Sequence, residues 1–248
     1  MKKILYSVLS VLLLFLGAAC ERDDYEFKAT ANITVINAAS ANGAVKVNPG
    51  AGSGFAYSKA LEVANGASGV FGAFTGSNTI TVVKSLDTNA KLFQRTVDLQ
   101  PISTLYIAGT SAAVDTIFRT ESNFPYINSS AANAEAAMNI RFVNLSPNSG
   151  PVNIVISSGT TNEVTALPYK GISDFKKYVA LTTTANYTFD IKDATNTNTL
   201  ASVTVNTNAT RYKTASIIFR GMVKPGATEG TLVSDPLFPI GTFQVTYN

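Results

Sequence analysis

The sequence predicts an all-β protein made of two tandem β-sandwich domains, immunoglobulin-like or transthyretin-like. Three observations predict it. Short runs of β-branched and aromatic residues recur between Gly, Pro, Asn and Asp breakers, the pattern of a sandwich. Beyond the first segment no long stretch repeats its apolar residues with the 3.6-residue period of a helix. The strand pattern also occurs twice.

In the first copy the expected strands are 31–37, 44–47, 56–62, 78–84, 91–98, 103–108 and 114–118. In the second they are 138–144, 151–156, 162–167, 175–181, 186–192, 199–205, 212–220 and 242–247. Asn32-Ile-Thr-Val-Ile-Asn37 corresponds to Asn139-Ile-Arg-Phe-Val-Asn144. Val45 and Val47 correspond to Val152 and Ile154, 107 residues later. The run Asn78–Lys84 aligns with Asn186–Lys192 at a spacing of 108, where Val82 meets Asp190. A bulge, a register change or a misalignment would each explain that break in apolar phase. Leu92 and Val97 then match Leu200 and Val205, and Ser103–Ile107 resembles Thr214–Phe219. Tyr187, Phe189 and Ile191 share one face of their strand and are expected in the core, with Thr188 and Asp190 toward water. The stretch Pro49–Gly54 is expected to be a flexible loop, and with Gly66, Gly69, Gly72 and Gly76 it marks the first domain as the more irregular; residues 129–137 are either a short helix or a plain linker.

Composition narrows the chemistry. The chain has no His, no Trp and a single Cys. That removes Ser-His-Asp and Cys-His catalysis and every His- or thiolate-based zinc site, and no catalytic residue is nominated. Carboxylate-only calcium sites and two-carboxylate hydrolysis remain open. Lys and Arg number 19 against 16 Asp and Glu. Loss of Lys2 and Lys3 with a cleaved leader leaves a side-chain balance near neutrality, with no long-range field to draw nucleic acid.

The N-terminus explains the lone cysteine. Lys2-Lys3 precede an apolar run, Ile4–Leu16, which is short for a membrane span. Leu16-Gly17-Ala18-Ala19-Cys20 resembles the lipobox of bacterial lipoproteins; simple secretion is the plain alternative. The resemblance implies a signal peptide at 1–19, lipid (palmitate and related acyl chains) on Cys20, and a partner in the membrane itself. Glu21-Arg-Asp-Asp-Tyr-Glu26 resembles the export signal of outer-membrane lipoproteins in the Bacteroidetes group, which implies display at the cell surface. A solvated tether at 20–28 accounts for the same residues. The expected domains are 29–129 and 137–248.

Asn139-Ile-Arg-Phe-Val-Asn-Leu-Ser-Pro147, then Pro151-Val-Asn-Ile154, then Leu167-Pro-Tyr-Lys-Gly-Ile-Ser-Asp-Phe175, resemble the domain-of-unknown-function 4397 family of exported β-sandwiches. The first copy departs from it, with Ala38-Ala39-Ser40 in place of Leu145-Ser146-Pro147. That family implies a fold and no activity.

Local motifs read mostly as turns. Asp190 and Asp193 with Asn196 and Asn198 lack the carboxylate density of a calcium loop, and Asp87-Thr88-Asn89 holds the matching place. Pro49–Gly54 lacks the Gly-Lys-Ser ending of a phosphate loop. Lys176-Lys177, Lys170 and Arg211 form a weak basic cluster. Tyrosines in loops or strand edges (Tyr57, Tyr106, Tyr126, Tyr169, Tyr178, Tyr212) are candidate ligand contacts, with Tyr169, Tyr57 and Tyr126 foremost, since a ring with a polar tip stacks on sugars or fills a partner's pocket. The expected function is a non-enzymatic envelope lipoprotein binding a glycan or an envelope or host protein. The alternative is a fimbrillin-like structural subunit in which Phe243–Tyr247 is a donated strand; that segment could equally close its own domain.

Overall fold

A computed structural model describes residues 28–40, 43–52, 54–110, 112–122, 124–129, 135–226, 232–235 and 240–247. The expected signal peptide, Cys20 and the tether up to residue 27 lie outside the described residues. The first half forms β1 (Thr30–Asn37), β2 (Val45–Asn48), β3 (Glu62–Val63), β4 (Ala67–Phe74), β5 (Gly76–Lys84), β6 (Lys91–Leu99), β7 (Ile102–Gly109) and β8 (Val114–Thr120). The second half forms β9 (Ala137–Asn144), β10 (Val152–Ile156), β11 (Asn162–Leu167), β12 (Lys176–Val179), β13 (Tyr187–Asp193) and β14 (Thr199–Val205). A short helix, α1 (Thr207–Thr210), follows. Then come β15 (Thr214–Arg220), a small hairpin of β16 (Val223–Pro225) and β17 (Leu232–Ser234), and β18 (Gly241–Tyr247).

The halves share one topology. Sheets β4-β1-β7-β8 and β3-β2-β5-β6 make the first sandwich, and β12-β9-β15-β18 and β11-β10-β13-β14 make the second. In each, the first strand pairs in parallel with the seventh, β1 with β7 and β9 with β15, while the other ladders are antiparallel. The immunoglobulin order sets the first strand beside the second. Here the first strand lies between the fourth and seventh, so of the two expected sandwich types the transthyretin-like one describes the order.

The repeat is clearest in the ladders. Val47 faces Val82 across β2–β5, and Ile154 faces Ile191 across β10–β13. Val82 therefore corresponds to Ile191, one residue beyond Asp190, and the alignment is corrected by that residue. Both β5–β6 and β13–β14 break register at the equivalent place, Val82/Val83 and Ile191/Lys192. A bulge preserved in both copies keeps the apolar phase. Asn37 and Asn144 close their strands alike. Asn37 Nδ2 donates to the Val63 carbonyl and Asn144 Nδ2 to the Leu167 carbonyl, tying each inner sheet to the second edge strand of its partner.

Two expectations change. Residues 56–62 are not a strand: Tyr57–Lys59 is a single 3-10 turn and β3 is only Glu62–Val63. The segment around Gly66, Gly69 and Gly72, irregular by sequence and expected to hold no strand, contains β4, eight residues long. Backbone pairing with β1 and burial of Phe71 outweigh weak propensity there. A Cβ at Gly69 would lie 3.0 Å from Val63 Cγ2, so a side chain there would force Val63 to give way.

Each sandwich has its own core. Ile33, Val35, Val47, Ile80, Val82 and Leu105 fill the first, and Ile140, Phe142, Ile154, Phe189, Ile191 and Ile217 the second. A third cluster joins the outer faces of the two inner sheets: Ile36, Tyr106 and Ala108 against Val143, Ile218 and Val245. The sheets thus stack in four layers, and β9 is buried along its whole length. Phe189, fully buried, meets Phe142 edge-on at 5.1 Å and Tyr178 at 5.4 Å. Phe189→Ala is expected to cost about 3–5 kcal/mol, read as a lower midpoint in denaturant unfolding.

Candidate functional site

The most chemically dense place in the molecule is the seam between the inner sheets. Arg141 lies at the middle of β9 on the face turned away from its own core, where alternation would place a solvated residue. It is instead fully buried, with Glu121 only 8% exposed. Glu121 follows β8 of the other sandwich. The guanidinium grips it with two parallel bonds, Nη1 to Oε2 at 2.9 Å and Nη2 to Oε1 at 2.6 Å. Nε donates to Ser216 Oγ at 2.8 Å, and Nη2 also reaches the Tyr106 hydroxyl at 2.8 Å and that of Tyr247 at 3.1 Å. Thr104 Oγ1 donates to Glu121 at 3.1 Å, and Arg119 approaches from the rim at 3.4 Å. Phe175 covers the guanidinium at 4.5 Å, and Phe124 stands edge-on to Phe175 and Tyr247.

Desolvation alone would lower the Arg141 pKa, but the Glu121 carboxylate and the hydroxyls of Tyr106 and Tyr247 outweigh it and hold it above its ordinary value. Burial first, then the phenol of Tyr247, pushes Tyr106 up. The cluster is a closed, mutually satisfied network. It joins the sandwiches, and a cleft of about 350 Å³ lined by Arg119, Glu121, Ser122, Asp174 and Phe175 opens beside it.

Two smaller clasps flank it. Lys170 and Tyr169 of the second domain both engage Asp115 of the first, with the ammonium 3.0 Å from the carboxylate. Arg220 donates to Asn65 at 2.7 Å over Gly66, whose φ of +76° would strain any other residue and whose Cβ position, 2.9 Å from the guanidinium, would push Arg220 aside. The linker joins in through Pro125, whose carbonyl accepts from Thr214 Oγ1 at 2.6 Å.

The candidate tyrosines divide. Tyr169 packs against the seam cluster. Tyr57 is half-buried and edge-on to Phe55 at 5.0 Å, and burial raises its pKa although Thr81 bonds to it. Tyr126, in the linker, is 84% exposed. It rims a cleft of about 380 Å³ with Pro125, Glu135, Asn139 and Lys177. Tyr106 is buried in the seam, and Tyr178, on the edge strand β12, is buried in the core of its own sandwich against Phe189.

The remaining motifs resolve as structure. Both Asp193 oxygens are taken within the hairpin by Thr195, Thr197 and Asn198. Burial works against its charge, but these bonds prevail and lower its pKa. Asn89 N donates to Asp87, and Gly50 and Ala51 N donate to Asn48 Oδ1, so these loops are side-chain-closed turns. Lys176 pairs with Glu163 and Lys177 with Glu135, which disperses the basic cluster. Glu163 and Asp174 line one cleft of about 240 Å³, but Glu163 is held by Lys176 and Tyr178. Among the described residues no group of three or more His, Cys, Asp or Glu could hold a metal ion. β18 pairs with β15 from Thr214↔Tyr247 to Arg220↔Gly241, so Phe243–Tyr247 closes its own sheet.

Sequence reasoning missed Arg141, Glu121, Phe124 and Asp115. A signal was available: Arg141 is the one charged residue in a strand otherwise of apolar and Asn residues.

Fold and seam together define a class: an all-β protein of two like sandwiches fused face to face through a buried ion pair. No family model matches the chain, and no curated protein matches it. Among solved structures, one of a candidate adhesin from Bacteroides ovatus is similar at 11% identity and a TM-score of 0.24, covering 85% of this chain and 93% of that one. That superposition is too loose to assign a shared fold.

Arg141→Met strands a buried carboxylate and is expected to cost about 3–5 kcal/mol, and Arg141→Met with Glu121→Leu to recover much of it, both measured by urea unfolding. Tyr169 is pushed up to about 12 by burial first and then by Asp115. Its folded pKa exceeds the unfolded value of about 10, so the folded chain holds a proton that the unfolded chain has lost. Stability from this clasp is full below pH 10 and falls as pH rises toward 12. Unfolding midpoints across that window should drop less steeply in Tyr169→Phe.

Proposed function

We propose that the chain is a lipid-anchored, non-enzymatic binding protein of the bacterial envelope, acylated on Cys20 and displayed at the cell surface. Its two sandwiches, related to the domain-of-unknown-function 4397 modules that the second copy resembles, act as one body carrying a binding surface. The observation that carries the binding reading is Tyr126, whose ring is 84% exposed in the linker. Beside it Glu135, Asn139 and Lys177 rim an open cleft. An exposed aromatic face among amide, carboxylate and ammonium groups suits the alternating apolar and hydroxyl faces of a glycan. The fused sandwiches support this reading, because a linker residue can form part of a fixed surface only when the domains on either side of it do not move apart. The anchor rests on Leu16–Cys20.

Proteinase digestion of intact cells, with antibody detection of the mature chain, tests display. Loss of the band without lysis is expected, and protection until lysis would overturn surface exposure. Binding of the protein and of Tyr126→Ala to a broad glycan array tests the site. Retained glycans that vanish in the variant are the expected result, whereas binding unchanged by Tyr126→Ala would place the ligand elsewhere.

A further inference from the structure

The two sandwiches, so alike in topology, differ at one edge. In the second, the fourth strand β12 is four residues, Lys-Lys-Tyr-Val, with both lysines paired to glutamates. In the first, β4 is eight residues, Ala-Ser-Gly-Val-Phe-Gly-Ala-Phe, without charge or proline. Charges and short length are how sheets prevent edge pairing, and β4 has neither. Other edges are protected. β6 carries Lys91, Arg95 and Asp98, and β8 carries Asp115 and Arg119. β11 is broken in register, β14 gives its Ser202 carbonyl to Thr242, and β18 turns Phe243, Val245 and Tyr247 into the seam.

The free groups on β4 can be assigned. Thr75 N bonds to the directly opposite Ala29 carbonyl. Hydrogen-bonded and non-bonded pairs alternate along an antiparallel ladder. Thr75, Ala73, Phe71 and Gly69 therefore bond inward to β1, and Ser68, Val70, Gly72 and Phe74 point their backbone groups outward, where the Phe74 carbonyl already accepts one bond from Asn78 Nδ2 at 2.8 Å. These four are exposed. Val70 is 62% and Phe74 57% exposed, unusual for apolar side chains of this size.

We propose that β4 pairs antiparallel with β4 of a second copy of this chain about a twofold axis at Phe71, merging two four-stranded sheets into one. Outward groups must face outward groups, and of the registers this allows, the one centred on Phe71 pairs all four. It sets Val70 against the second copy's Gly72 and Phe74 against its Ser68, and the reverse by symmetry. Each large side chain then meets a small one, and no charges confront each other. Ser68 also borders an uncharged cleft of about 280 Å³ lined by Val70, Ile102, Phe124, Val245 and Tyr247. The second copy's Phe74 is delivered to the mouth of that cleft, and the same insertion happens in the other direction. The patch is therefore self-complementary, which an isologous interface requires. This dimer is independent of the Tyr126 cleft and of the lipid anchor.

Sedimentation equilibrium of the chain from residue 20 onward, which contains every described element, tests the pairing. The expected result is a concentration-dependent dimer that Val70→Lys and Phe74→Lys each convert to monomer. Leu86→Lys, at a fully exposed position away from β4, should leave the dimer intact. Both β4 positions are exposed, so unfolding midpoints near wild type should accompany the loss. A wild-type chain that stays monomeric at its highest soluble concentration would overturn the proposal. So would a dimer that survives both lysine variants.

Discussion

A guanidinium removed from water between two sheets governs the rest of this structure. Arg141 has no exposed surface, and burying such a charge costs several kcal/mol unless geometry and hydrogen bonding compensate. The compensation comes from both sides of the seam. Glu121, Tyr106 and Thr104 are supplied by the first sandwich, and Ser216, Tyr247 and Phe175 by the second. The apolar contacts around them, Ile36 and Ala108 on Val143 and Ile218, are non-directional and would tolerate sliding. The bidentate pair would not. Hydrophobic burial brings the sheets together, and the ion pair selects where they stop.

That arrangement decides which surfaces remain for partners. The outer faces of the inner sheets, normally the solvated sides of a sandwich, are consumed by the seam. Tyr169 is drawn into it through Asp115. Besides the loops and the solvent faces of the two outer sheets, what remains is the linker, held by Pro125 on Thr214 and by Phe124 on Phe175 and Tyr247, together with the sheet edges. The linker offers an aromatic ring in an open cleft, and the β4 edge offers unpaired backbone groups beside an uncharged one. They call for different partners, a flat polar ligand and an extended strand.

The duplicated fold also shows how divergence is distributed. The inward-facing pairs Val47–Val82 and Ile154–Ile191, the bulge after Val82 and Ile191, and the strand-ending Asn37 and Asn144 recur. Each is fixed by a local geometric need within one sandwich. Thr34 and Arg141 occupy the same place in their strands yet differ completely. Their side chains look into the seam, where the two copies meet as unlike partners rather than as equals.

Strand class, the repeat and the core faces were legible in the sequence because period-two alternation reports burial on one side. Asn186–Lys192 is an example: Phe189 and Ile191 are fully buried, as their phase requires. The alignment slipped by one residue because the turn from Val83 to Lys91 is one residue longer than the turn from Lys192 to Thr199, and strand periodicity carries no mark of loop length. β4 was hidden because its pairing with β1, and not its own propensity, makes it a strand. Arg141 was passed over and Tyr106 was placed at a loop or edge for a related reason. Alternation says which residues leave a strand's own core, but it is silent on what waits on the other side. The sequence by itself determined two transthyretin-like or immunoglobulin-like sandwiches and which residues fill each. Only the tertiary structure decided the strand order and turned two outer faces of mixed polarity into a buried seam, because that outcome depends on pairing residues far apart in the chain, such as Arg141 with Glu121 and Tyr247.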